Sequence, residues 1–279
     1  MALALVDADS IYFRAAYVTK KQNEIRKVID ETMKSIDRNV STILFDDIDF
    51  MIAVKGYGNF RKDLYPDYKK NRKELDEEMK QALKYGHPYM VDKYSAVMSD
   101  GMEADDLVSI WAYEAREAEQ DYIIVGIDKD LRQIPGNHYN FKKEEHDFVD
   151  DDTAAYNLNI QCLTGDSTDN IPGIKGIGPK KAAKLLDGIP VSRQWSRIRA
   201  AWRAHGAGNP ALSRSLLRML TSWEDYEDVK REIAGETSVS EQDVLSEQEQ
   251  DSGLQTLSGG DERSADGDEL AFWRQHGIV

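Results

Sequence analysis

Cysteine is nearly absent from this chain of 279 residues: the single Cys162 excludes an intramolecular disulfide and any thiolate metal cage. The five histidines, His87, His138, His146, His205 and His276, show no HxxxH or similar ligand spacing, so zinc chemistry is not indicated. Long apolar runs are also missing. The opening run, Met1 to Val6, stops at Asp7 and lacks the basic flank of a secretory signal, so neither export nor membrane insertion is expected. What remains is a chain 41% hydrophobic and 31% charged, with a mean hydropathy of -0.61. That composition suits one core domain with attached elements under an unusually ionic surface.

The net charge of -15 argues against a nucleic-acid partner only until its distribution is read. From Glu224 onward there are 16 acids and 4 Lys or Arg, which leaves residues 1–223 at net -3. Within that nearly neutral part, Lys175 to Arg218 holds ten bases and one acid, Asp187. A patch of that kind can meet phosphate.

Apolar runs at 2–6 (ALALV), 50–54 (FMIAV) and 122–127 (YIIVGI) read as strands buried on both faces. The segments between them have helical spacing, as in Ile25, Val28, Ile29, Met33 and Ile36. The alternation predicts a mostly parallel α/β sheet flanked by helices. Residues 137–149 suggest a hairpin. From 153 the reading turns helical, and residues 234–268 are too polar to repay the entropy of ordering. The expected domains are 1–152, 153–223, and an acidic, largely disordered tail over 224–279.

The informative pattern is acids at the ends of apolar runs. Asp7 follows ALALV, Asp128 and Asp130 follow YIIVGI, Glu103, Asp105 and Asp106 open a helix at MEADDL, and Asp166 and Asp169 lie in LTGDSTDN. Carboxyl ends of parallel strands converge on one rim, where ligands bind. Eight carboxylates there would repel one another unless hard cations neutralised them, which points to Mg or Mn held by oxygen donors. Two such ions about 4 Å apart clamp the attacking and leaving oxygens of a phosphoryl displacement. Taken singly, Asp7 or Asp166 is more often a turn or N-cap residue, EADD can be dipole compensation and DKD can begin a loop; their joint order favours metal.

The glycines of GIKGIGPKKA invite a P-loop reading, but Pro179 stands where the phosphate-binding lysine is required. The stretch reads instead as a helix-hairpin-helix, in which Gly176 and Gly178 bring backbone N–H groups to phosphate and Lys180 and Lys181 add charge; an ordinary helix corner is the alternative. A second basic stretch, Lys55 to Lys73, interleaves seven bases with Tyr57, Phe60, Tyr65 and Tyr68. Aromatics that stack on bases, beside cations that pair phosphates, suit a single-stranded end, with a solvated amphipathic helix as the alternative.

In this order, LYPDYKKNR, MEADDL, GIDKD and TGDSTDNIPGIKGIGPKKA resemble the 5'-nucleases, a superfamily of flap endonucleases and 5'-3' exonucleases, over roughly residues 3–190. The modest length makes the chain most similar to the bacteriophage 5'-3' exonucleases. The resemblance implies a PIN-like (resolvase-like) α/β domain with a helical arch or gateway near 57–90, then a helix-hairpin-helix region. It implies two Mg2+ or Mn2+ ions on Asp7, Glu103, Asp105, Asp106, Asp128, Asp130, Asp166 and Asp169, with a K+ ion at the hairpin. Lys69 and Arg72 would serve catalysis beside Asp128, and Tyr68, Gly176, Gly178, Lys180 and Lys181 would bind DNA. The activity implied is hydrolysis near 5' ends of duplex, nicked or flap DNA, with ribonuclease H-like action, by a cytoplasmic monomer meeting replication proteins through its tail. In one departure, the strand ending at Val54 is followed by Lys55 and Gly56 where family members carry an acid, with Asp63 or water as the substitute. A catalytically weakened DNA-binding protein of the same fold is the alternative function.

Overall fold

The structure, a computed structural model, describes residues 2–44 and 47–235. In chain order the elements are β1 (Ala2–Asp7), α1 (Asp9–Val18), α2 (Gln22–Leu44), β2 (Ile48–Lys55), α3 (Phe60–Leu64), α4 (Glu77–Tyr94), β3 (Val97–Ser99), α5 (Ala104–Glu117) and β4 (Tyr122–Val125). A 3-10 turn (Asp130–Gln133) precedes β5 (Gly136–Asn140), β6 (Glu145–Val149), α6 (Asp151–Thr164), α7 (Pro179–Leu186), α8 (Val191–Ala204), α9 (Pro210–Leu217) and α10 (Trp223–Ala234).

The six strands form one sheet in the order β3-β2-β1-β4-β5-β6, parallel except for the β5/β6 hairpin. β1 lies between β2 and β4, with Asp7 opposite Ala53 and Val6 opposite Val125. The chain winds first to one side of β1 and then to the other, so the topological switch lies between β1 and β4. Crevices at such switches open at the carboxyl ends of the strands. One sheet face packs α1, α2 and α4, into which α2 sends Ile25, Ile29, Met33, Ile36 and Val40 at helical spacing. The other packs α5 against Met219, Leu220 and Val229. A third apolar cluster joins α6 to α9, with Trp202 and Leu163 buried in it. Among the described residues no helix is long and apolar enough to cross a membrane.

The mostly parallel α/β sheet and the helical region after it match the sequence reading. One expectation is corrected, the start of the tail. Within the span 57–90, residues 77–90 belong to α4, which buries Met79, Ala82, Gly86 and Met90 against α1 and α2. A Cβ at Gly86 would stand 2.8 Å from the Tyr12 Cβ, so this close approach needs glycine. The expected tail begins too early, because α10 occupies Trp223–Ala234. Its first turn is acidic, which suits the helix dipole, while Val229 is buried and Arg218 pairs with Asp225 at 2.6 Å. The rest of that tail, 236–279, lies outside the described residues.

Candidate metal and nucleic-acid site

Asp7 ends β1 and is 6% exposed; burial, then the charges of Asp9 and Asp128, raises its pKa well above the ordinary carboxylate range. Asp128 follows β4, and its Oδ1 accepts the N–H of Asp130 at 2.9 Å. Asp130, raised to about 6 by burial and by Asp128, also accepts from the Gln161 side chain. The second group opens α5. Asp105 is raised by burial, then by Glu103 and Asp106. Glu103 moves the other way: burial opposes its charge, yet Lys69 and Arg61 hold it at about 2.

The loop 165–171 brings the third group. Gly165 has φ +67°, and a Cβ there would meet the Gly173 nitrogen at 2.4 Å, so the chain crosses itself tightly where only glycine fits. Within this turn Asp166 Oδ1 accepts the N–H groups of Thr168 at 2.7 Å and Asp169 at 3.3 Å, while its Oδ2 takes the Lys129 ammonium at 2.6 Å. That ammonium outweighs burial and holds the Asp166 pKa down. Asp166 is thus both the turn residue and the rim acid.

The YKKNR segment lies on this loop. The Lys69 N–H donates to the Asp169 carbonyl at 2.8 Å, Asn71 to the Ser167 carbonyl at 2.6 Å, and Asn170 to the Asp67 carbonyl at 2.8 Å. The Lys69 side chain pairs with Glu103 and stands 3.5 Å from Asp169, which also pairs with Arg72. Tyr68, expected to stack on a base, is only 3% exposed; its hydroxyl is 2.6 Å from Glu103 Oε2 and 3.1 Å from Asp169 Oδ2. It is an apolar anchor with a polar tip aimed at two acids, and stacking is corrected to that role. In contrast, Tyr57 is 79% exposed.

Seven of the eight expected acids thus line one connected rim. Asp106 is the exception: it is wholly buried and forked onto Arg61. As the side chains stand, no three described His, Cys, Asp or Glu groups close on a single ion position. Lys69, Arg72 and Lys129 stand among the acids instead. The donor set nonetheless fits divalent cations, because it is all oxygen and because burial, with the charges of neighbouring acids added, pushes Asp7 and Asp105 upward.

Three residues escaped the sequence reading. Asp9 accepts the Lys55 N–H at 2.8 Å, so its carboxylate fills the end of β2 where an acid is missing, whereas Asp63 is exposed on α3. The spacing Asp7-Ala8-Asp9 across a strand-to-helix turn was the available signal. Arg61 and Gln161 carried none, since their partners are distant in sequence. Farther along, Gly176, Gly178, Lys180 and Lys181 are all exposed around the start of α7, with Gly176 at φ +84° and Pro179 in the first turn.

Residues 2–158 match the family model of the 5'-3' exonuclease N-terminal resolvase-like domain. The chain is 38% identical over 140 residues to a DNA polymerase I of Rhizobium leguminosarum, covering 46% of this chain and 14% of that protein. It is 36% identical over 140 residues to the flap endonuclease Xni of Shewanella sp. (strain W3-18-1), covering 46% and 52%. The matched part thus spans about half the length of such relatives, or less. Among solved structures, the bacteriophage T5 D15 protein co-crystallized with metal ions aligns with a TM-score of 0.62 at 18% identity, covering 84% of this chain and 99% of that one. The T5 D15 flap endonuclease, in a pseudo-enzyme-product complex with DNA and metal ions, aligns at 0.58 and 17% identity, covering 84% and 98%. This likeness is one of fold.

Proposed function

The chain belongs to the 5'-3' exonuclease family, and from that premise we propose that it is a divalent-metal-dependent nuclease hydrolysing DNA phosphodiesters near 5' ends. The observation that carries this is the row of carboxylates at the β1/β4 switch, where neighbouring acids add to burial in raising Asp7 and Asp105 and a divalent cation would relieve the charge. Asp7, Glu103, Asp105 and Asp128 would hold one Mg2+ or Mn2+ ion, and Asp128, Asp130, Asp166 and Asp169 a second. Bound there, such ions would lower the pKa of water and offset negative charge at the leaving oxygen.

The chain's own residues orient and neutralise. Lys69 and Arg72, tied by backbone and side chain to the 165–171 loop, meet the phosphate at the rim and offset charge developing on it. Water adds to phosphorus, the bond to the 3' oxygen breaks, and that oxygen takes a proton, leaving a 5'-phosphate. Gly176, Gly178, Lys180 and Lys181 hold the duplex by its backbone, and a K+ ion bound near the hairpin would add positive charge there. The preference for flap or exonucleolytic substrates, a phage origin, a role in replication and a cytoplasmic monomeric state belong to the same proposal.

A second reading, a DNA-binding protein with weakened catalysis, is favoured by the cations that stand on Glu103, Asp166 and Asp169. End-labelled duplex and flap DNA, incubated with Mg2+ or with EDTA, separates the two. Asp128→Ala should abolish cleavage while binding in Ca2+ persists. Turnover of that variant within tenfold of wild type would defeat the role given to Asp128, and absence of Mg2+-dependent cleavage by wild type would defeat the nuclease reading.

A further inference from the structure

Arg61 and Asp106 are 3% and 0% exposed and form a buried ion pair. Nη1 and Nη2 of Arg61 fork onto the two Asp106 oxygens at 2.5 and 2.8 Å, Nε donates to the Leu216 carbonyl at 2.8 Å, and Nη2 donates to the Arg218 carbonyl at 2.8 Å. Four of the five guanidinium N–H groups are therefore used. Asp106 Oδ1 also accepts the Leu220 N–H at 3.3 Å, and Oδ2 accepts the Glu103 N–H at 3.1 Å. With both oxygens doubly engaged and no exposed face, this carboxylate has nothing to offer an ion. The pair joins three stretches distant in sequence: α3 at the base of the segment that carries Lys69, the first turn of α5 with its rim acids, and the link from α9 to α10.

We propose that Asp106 is an internal counter-ion and not a metal ligand, and that Arg61 is a positioning residue. Through Asp106 it holds the Glu103–Asp105 edge of α5 in register with the YKKNR segment and the helical region. The inference rests on the nuclease reading, because register matters only if Lys69 and the rim acids act on one phosphate. A buried ion pair can often be replaced by apolar residues of similar volume without loss of stability, whereas removing one partner strands a charge. The pair can thus be deleted as a unit.

The test compares Asp105→Asn with the double variant Arg61→Met/Asp106→Leu, measuring Mn2+ binding by EPR, duplex affinity in Ca2+, and single-turnover cleavage at saturating DNA. Asp105→Asn should weaken Mn2+ binding at least tenfold. The double variant should keep Mn2+ and duplex affinity within threefold of wild type while its single-turnover rate falls at least tenfold. A merely structural pair would lower the melting temperature and leave that rate unchanged in the folded variant, which would overturn the positioning role. Loss of Mn2+ as large as in Asp105→Asn would overturn the counter-ion role. If the double variant does not fold, Arg61→Lys, which keeps the charge and loses the fork, gives the same two readings. Wild type that neither binds Mn2+ nor cuts would mark failure of the nuclease reading itself, and the inference would fall with it.

Discussion

Neutralising Asp105 should make the metal-free protein more stable and the metal-loaded protein less so. Its carboxyl is raised by burial and by Glu103 and Asp106, against the partial relief of Arg61 and Lys69. As a scale, two like charges about 6 Å apart repel by about 3 kcal/mol at an effective dielectric of 20. With the opposing cations, Asp105→Asn should gain about 1–2 kcal/mol in EDTA, roughly 3–6 °C for a chain of this size. With Mg2+ at a hundredfold excess over its Kd, wild type gains about 2.7 kcal/mol from binding, and the variant should lose most of it, so the ranking of melting temperatures reverses. The pH profile has a definite sign. A carboxyl raised on folding contributes stability present below its unfolded value, about 3.9, and lost as pH rises through the folded value. Metal-free wild type should therefore melt lower at pH 8 than at pH 5, with a shallower slope in Asp105→Asn. Calorimetry with EDTA and with Mg2+ measures all three effects. A variant less stable than wild type in EDTA would refute the repulsion on which the metal assignment stands.

Three further outcomes are expected. Lys180→Ala with Lys181→Ala should weaken duplex binding and flatten its salt dependence, each lost phosphate contact removing about 0.9 released counterions; an unchanged salt slope would place the duplex elsewhere. Tyr68→Phe keeps the ring and loses the hydroxyl between Glu103 and Asp169, so it should cost about 1.5–3 kcal/mol in urea melts and leave DNA affinity within twofold. A stacking role would instead make it silent in both. Truncation after Gly235 should leave melting unchanged, whereas truncation after Leu220 removes buried Val229 and the Asp225 partner of Arg218 and should cost at least about 2 kcal/mol. Equal melting of the two would return α10 to the tail.

The legible parts of this fold are those whose physics is local. ALALV and YIIVGI are apolar on both faces and end in acids, so strand, burial and rim position follow from a few consecutive residues. The spacing of Ile25, Ile29, Met33 and Ile36 marks its own buried stripe in the same way. The illegible parts depend on partners far away in sequence. Within the basic stretch Lys55 to Lys73, Arg61 looks no different from Lys62, yet one is sealed against Asp106, 45 positions on, and the other is exposed. Tyr68 sits among aromatics that suggest a stacking surface, but the helical region covers it. In α10, WEDYEDVKREIA is so charged that its one buried Val229 is outvoted by composition.

The sharpest case is the pair Asp105 and Asp106, adjacent and chemically identical. Both open α5, both suit its dipole, and the motif MEADDL treats them alike. Their fates differ because Asp106 meets a guanidinium and two backbone N–H groups, whereas Asp105 accepts one backbone N–H and is raised by burial and by Glu103 and Asp106. A buried carboxylate with a full set of donors is already neutralised and belongs to the fold; one left with like charges demands a cation from outside. Adjacency in the motif therefore does not decide which acid is free for an ion; the donors that the fold brings to each carboxylate do.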